Sequence, residues 1–93
     1  MCNIQIYFDL RLKDHIVDFL LEQNLNDFYY IQCDRYAAVN LLYSESEQVS
    51  GKKMYGLISI FVTREYATEI SLTMYEKYGK EDLRCYISDF AEL

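Results

Sequence analysis

The apolar positions of this chain change period along its length, and the changes mark out the elements. Residues 3–8, Asn-Ile-Gln-Ile-Tyr-Phe, alternate. Ile4, Ile6 and Phe8 fall on one side and Asn3, Gln5 and Tyr7 on the other, as in a strand with one core face. Asp9 stands where a helix N-cap is expected. From Leu12 the period becomes helical: Leu12, Ile16, Phe19 and Leu20 form one stripe, widened by Val17 and Leu21, with Lys13, Asp14, Asp18 and Glu22 largely off it. Asn24 to Asp27 is a stop-and-turn cluster. Residues 28–33, Phe-Tyr-Tyr-Ile-Gln-Cys, are aromatic and β-branched and predict the second strand. Residues 53–63 predict the third, with Met54, Ile58, Ile60 and Val62 on one face and Tyr55, Leu57 and Phe61 on the other. A helix is predicted over 64–78 from the stripe Ala67, Ile70 and Met74, with Thr63 as its cap and Gly79 in the left-handed position after its last turn. Residues 82–88 predict the last strand, Leu83, Cys85 and Ile87 alternating against Arg84, Tyr86 and Ser88.

Strand–helix–strand–strand–helix–strand is the split-βαβ pattern of a single α+β domain over residues 1–93. Right-handed crossovers place both helices on one face of an antiparallel four-stranded sheet. The other face is left open, and it is not polar. Tyr7, Tyr55, Leu57, Phe61 and Tyr86 all fall on it. A sheet face meant for water carries more polar residues, so these five are expected to form an oligomer interface.

One connection does not fit a small domain. Nearly twenty residues separate Cys33 from Lys53, where hairpin loops normally take ~2–5. The segment has internal order in its sequence. Tyr36 to Tyr43 is mostly apolar, and the segment reads either as a sensor loop whose folded state depends on a ligand or partner or as an ordered excursion whose Leu41, Leu42 and Val49 cover a neighbouring subunit. Ser44-Glu45-Ser46-Glu47 fits a capping box, Gly51 can close the turn, and Lys52 and Lys53 open the third strand.

Composition sharpens the assembly expectation. Ten tyrosines and no tryptophan occur in 93 residues, and tyrosine suits interfaces because its ring is buried while its hydroxyl stays paired. A chain this short buries a modest fraction of its surface, so association is a common support. The formal net charge of −6 disfavours nucleic acid and acidic lipid as partners and leaves cations or basic protein patches. No apolar run is long enough to insert in a membrane, and the first residues do not resemble a secretory signal. Three cysteines without close spacing do not make a disulfide framework, which points to the cytoplasm.

The candidate chemistry gathers around the long hairpin. Cys33 at its mouth and Glu45 at its far end, with Glu47, are candidate metal ligands, set against the plainer reading of Cys33 and Cys85 as small buried apolar residues. Arg35, Lys52 and Lys53 bracket the hairpin and are candidate anion ligands, set against simple protection of a sheet edge by charge; Glu47 and Gln48 complete the candidate ligand-binding set. One histidine and no clustered nucleophile give no catalytic arrangement, so the expectation is a binding protein and not an enzyme.

Two stretches carry a resemblance. Leu12-Lys-Asp-His-Ile-Val-Asp-Phe-Leu-Leu-Glu22 followed by Asp27-Phe-Tyr-Tyr30 resembles the first helix and second strand of a small family of PII-like proteins. Ser46-Glu-Gln-Val-Ser-Gly-Lys52 resembles that family's loop-end motif. The likeness covers most of the chain and is weakest after Thr63. It implies a ferredoxin-like fold, a homotrimer with its open sheet faces turned inward, ligands in clefts between subunits, and a genetic association with heavy-metal efflux pumps of the RND type, whose components are then candidate partners. Relatives often carry a histidine just after the second strand; Asp34-Arg35-Tyr36 stands there here. The glycine-rich phosphate loop of nucleotide-binding PII proteins is also missing. The expected function is regulation or sensing, with a metal ion or small ligand in an intersubunit cleft. The alternative is a protein–protein interaction module without a small ligand.

Overall fold

The computed structural model describes residues 1–37 and 52–93. The alternating segments pair into one sheet of four antiparallel strands in the order β2-β3-β1-β4. These are β1 (Cys2–Asp9), β2 (Tyr29–Tyr36), β3 (Lys52–Val62) and β4 (Leu83–Asp89), with helix α1 (Lys13–Glu22) after β1 and α2 (Arg64–Tyr78) after β3. This is the expected α+β βαββαβ arrangement, consistent with a ferredoxin-like fold.

The register fixes the two faces. Ile4 lies opposite Ile60, Ile6 opposite Ile58, and Phe8 opposite Leu83 and Gly56. These side chains join Ile16, Phe19 and Leu20 of α1 and Ala67, Ile70 and Met74 of α2 in a single buried core, so both helices cover the same face. A methyl group at Gly56 would meet the Phe8 ring at 2.4 Å and Tyr30 at 3.0 Å. The missing side chain is therefore what lets the Phe8 and Tyr30 rings stack across the strand, with centroids 6.3 Å apart.

Local signals set the ends of the elements. Asp9 accepts from the Arg11 amide at 3.0 Å and caps a 3-10 turn, Leu10–Leu12, that leads into α1. Thr63 accepts from the Tyr66 amide and caps α2. Asn24, at φ 62, turns the chain after α1, where asparagine tolerates a left-handed backbone. Gly79 has the positive φ expected of it (78°), but its ψ of −177° is extended, so it turns the chain outside the left-handed helical region.

Several expectations need correction. The second strand runs three residues past Cys33, to Tyr36, because Asp34, Arg35 and Tyr36 pair with Met54, Lys53 and Lys52 despite their polarity. The connection between β2 and β3 is thus residues 37–51, and the candidate residues Glu45, Glu47 and Gln48, with the capping box and Gly51, lie outside the described residues. Cys2, whose place near the terminus suggests exposure, is buried in the core and donates to Asp89 at 3.1 Å. Met54 has core parity, yet it is half exposed, because it lies beyond the last β1–β3 pair, Asp9–Tyr55.

Candidate functional site

On the face away from the helices, the register builds a grid. Tyr29, Ser59, Gln5 and Tyr86 form one row across the four strands, and Ile31, Leu57, Tyr7 and Arg84 the next. Cys33, Tyr55 and Asp9 follow, and then Arg35 beside Lys53 on the projecting end of the hairpin. Much of this face is uncovered apolar surface: Tyr29 is 67 % exposed, Ile31 56 %, Phe61 47 % and Tyr86 57 %. Tyr7 meets Tyr86 edge to face at 5.9 Å, and Phe61 meets Phe90 in the same way at 5.9 Å.

A concavity of about 830 Å3 lies on this face toward the hairpin. Tyr7, Tyr55 and Tyr86 line it, with Cys33, Arg35 and Arg84 around them. Arg35 donates to the Tyr55 hydroxyl at 2.7 Å, and its guanidinium lies 5.2 Å from the centre of the same ring. Tyr55 is only 5 % exposed, so it is part of the floor and not of the free surface predicted for it. Burial pushes the Cys33 thiol above its ordinary range, and neighbouring Asp34 pushes it the same way.

A second concavity, about 650 Å3, lies toward the other end of the sheet around Tyr29, Phe61, Phe90 and the Asn24–Asp27 turn. Among the described residues no lysine or arginine lines it.

The buried charges sit at the edge of the first concavity. Asp9 and Lys53, both almost fully buried, pair at 3.0 Å. Arg11 clamps the same carboxylate from the other side, at 3.1 and 2.8 Å. Burial by itself would raise the Asp9 pKa, but the bonds from Arg11 and Lys53 outweigh it and hold the carboxyl at about 2.

Of the residues singled out in the sequence, Cys33 and Arg35 come together with Tyr7, Tyr55 and Tyr86 in one concavity. Leu57 and Phe61 share that face. Lys53 is turned into the Asp9 pair, and Lys52 lies 4.0 Å from Asp34, so both are engaged within the chain. Among the described residues no three metal-ligating side chains converge.

The family model described as "Protein of unknown function (DUF3240)" matches residues 1–93. The chain belongs to this family. No curated protein matches it. Among the described residues no helix is long and apolar enough to cross a membrane.

Three residues on the open face had not been picked out as site residues. Tyr29 and Ile31 were legible, since they alternate with Tyr30 and Gln32 and share parity with Cys33 and Arg35. Arg84 was placed on the face opposite Leu83 but lies far from the hairpin in sequence. Only the β1–β4 register, Tyr7 against Arg84, carries it to the concavity.

Proposed function

We propose that this protein is a PII-like regulatory or sensor module that associates with further copies of itself through the open sheet face and binds a metal ion or small ligand in the cleft this creates near the hairpin. The observation that supports it is the apolar surface of Tyr29, Ile31, Phe61 and Tyr86 on one face, running into a concavity that holds Arg35 and Cys33. A second copy is the occupant that fits. It offers the same apolar, tyrosine-rich face, and a closed ring of such faces leaves none exposed. The PII resemblance supports a homotrimer connected with heavy-metal efflux, and the three scattered cysteines support a cytoplasmic location.

Sedimentation velocity tests the assembly. The wild type is expected to run as an oligomer, and Leu57→Asp or Phe61→Asp to split it, because each would bury a charge in the interface. A wild type that sediments as a monomer overturns it. Calorimetric titration with copper, zinc, nickel and nucleotides reads the ligand; no heat from any of them counts against the sensor role.

The second reading is an interaction module for a partner protein, such as an efflux component. It draws on the position of β2 at the sheet edge, where Tyr29, Ile31 and Tyr36 are exposed. Replacing Glu47 and Gln48 with alanine separates the two. Loss of a captured partner without change in ligand binding favours the interaction module.

A further inference from the structure

The nine basic residues of this acidic chain are all among the described ones, and they divide sharply by place. Four are ion-paired: Arg11 and Lys53 with Asp9, Lys52 with Asp34, and Arg64 with Asp89. Lys13, Lys77 and Lys80 lie over the rings of Tyr30, Phe19 and Tyr75. The remaining two are Arg35 and Arg84, and both line the concavity on the open face. Arg35 is bonded to a neutral phenol, and among the described residues Arg84 has no hydrogen bond, ion pair or ring contact. In a protein of net charge −6, the two arginines without a carboxylate partner among the described residues thus share one hollow. Two acids also line the hollow. Asp34 is taken by Lys52, and Glu81 makes no ion pair with Arg84.

We propose that this concavity binds a small elongated dianion, with one anionic end held by Arg35 and the other by Arg84. The proposal rests on the reading of the open face as a ligand-bearing surface and adds the chemistry of the ligand. Three strand spacings, about 14 Å, and four residues along the strand, about 13 Å, separate the two arginine Cα atoms. The two residues thus stand at opposite corners of the hollow, and Arg35 is held at the Tyr55 hydroxyl instead of reaching toward Arg84, so each guanidinium is placed to hold an anionic group of its own. Tyr7 and Tyr55 pave the hollow between them, so the middle of the ligand lies on ring surface. Guanidinium groups match carboxylate and phosphate alike by paired N–H donors, so the shared chemistry is two separated oxyanions. A dicarboxylate and a diphosphate are its two forms.

The test is calorimetric titration of the full chain at fixed ionic strength. The probes are the dicarboxylates from malonate to adipate and inorganic pyrophosphate, with acetate and inorganic phosphate as compact comparators. Binding of one dianion class at least ~10-fold tighter than acetate is expected, with a preferred chain length if it is the dicarboxylates. Arg84→Ala and Arg35→Ala are each expected to weaken it by ~10-fold or more. Arg84→Lys is expected to fall between wild type and Arg84→Ala, and Lys77→Gln, on the helix side, to change nothing. Circular dichroism checks the fold of each variant; if Arg35→Ala unfolds, the exposed Arg84 decides. Dianions no tighter than acetate, or dianion binding that Arg84→Ala leaves intact, overturn the proposal. Sedimentation of the same samples keeps the two ideas apart. An oligomer that binds no dianion removes this inference and leaves assembly standing, whereas a monomer that binds one does the reverse.

Discussion

The two faces of the sheet come from the same four strands and are both largely apolar, yet only one is covered within the chain. On the helix side, Ile4, Ile6, Phe8, Ile58 and Ile60 are shut off from solvent by α1 and α2. On the other side, Tyr29, Ile31, Phe61 and Tyr86 stand open, among polar positions that include the bonded Asn3 and Ser59, Gln5 and Arg84, and the charged end around Asp9 and Arg35. Apolar burial contributes roughly 25 cal/mol per Å2 wherever it occurs. The helix face gains that on folding, and the exposed side chains of the open face do not. Strand hydrophobicity alone therefore does not say which side is covered within the chain.

The sharpest way to break the comparison is from the covered side. Phe8→Ala removes a ring held between Gly56 and Tyr30 at the centre of the core and is expected to lower unfolding stability by ~3–5 kcal/mol in urea titrations. A loss no greater than that of an open-face substitution would mean the two faces are not distinct in energy. The charged end gives the next effect. The folded pKa of Asp9, about 2, lies below its ordinary 3.8. A depressed folded pKa means stability that is fully present above pH 3.8 and lost as pH falls toward 2, worth roughly 2 kcal/mol. Asp9→Asn is expected to flatten this acid limb, in unfolding curves taken at successive pH values between 5 and 2. An unchanged limb would place the acid sensitivity on other carboxylates.

The fold was readable because two periods carry it. The alternation of Ile4, Ile6 and Phe8 and the stripe Ile16, Phe19 and Leu20 are strong local signals, and Thr63 marked the start of α2 to the residue. The end of β2 was missed because Asp34 and Arg35 have poor strand preference and are held there only by Met54 and Lys53 across the ladder. The site was half readable for the same reason. Cys33 and Arg35 are adjacent to the hairpin and visible as such, but Arg84 joins them through pairing between strands at opposite ends of the chain. The commitment of Lys53 to Asp9 was invisible too, since a lysine after a loop reads as exposed until the register places it two residues from Tyr55, the strand partner of Asp9.

The smallest effect on folding is expected where the effect on assembly is greatest. Ile31 is an edge-strand residue with over half its surface open, in the row of Leu57, Tyr7 and Arg84. Ile31→Ser removes apolar surface that the isolated chain does not bury, so at concentrations where the chain is a monomer its unfolding free energy is expected to stay within ~0.5 kcal/mol of wild type. At higher concentration the variant is expected to dissociate more readily, and the concentration dependence of the wild-type melting temperature to weaken with it, because association with the native state alone is what couples the two. Sedimentation and thermal melts over a hundred-fold range of concentration measure both. A variant that loses stability equally at every concentration would show that Ile31 is packed within its own chain, and the two faces would then differ in degree and not in kind.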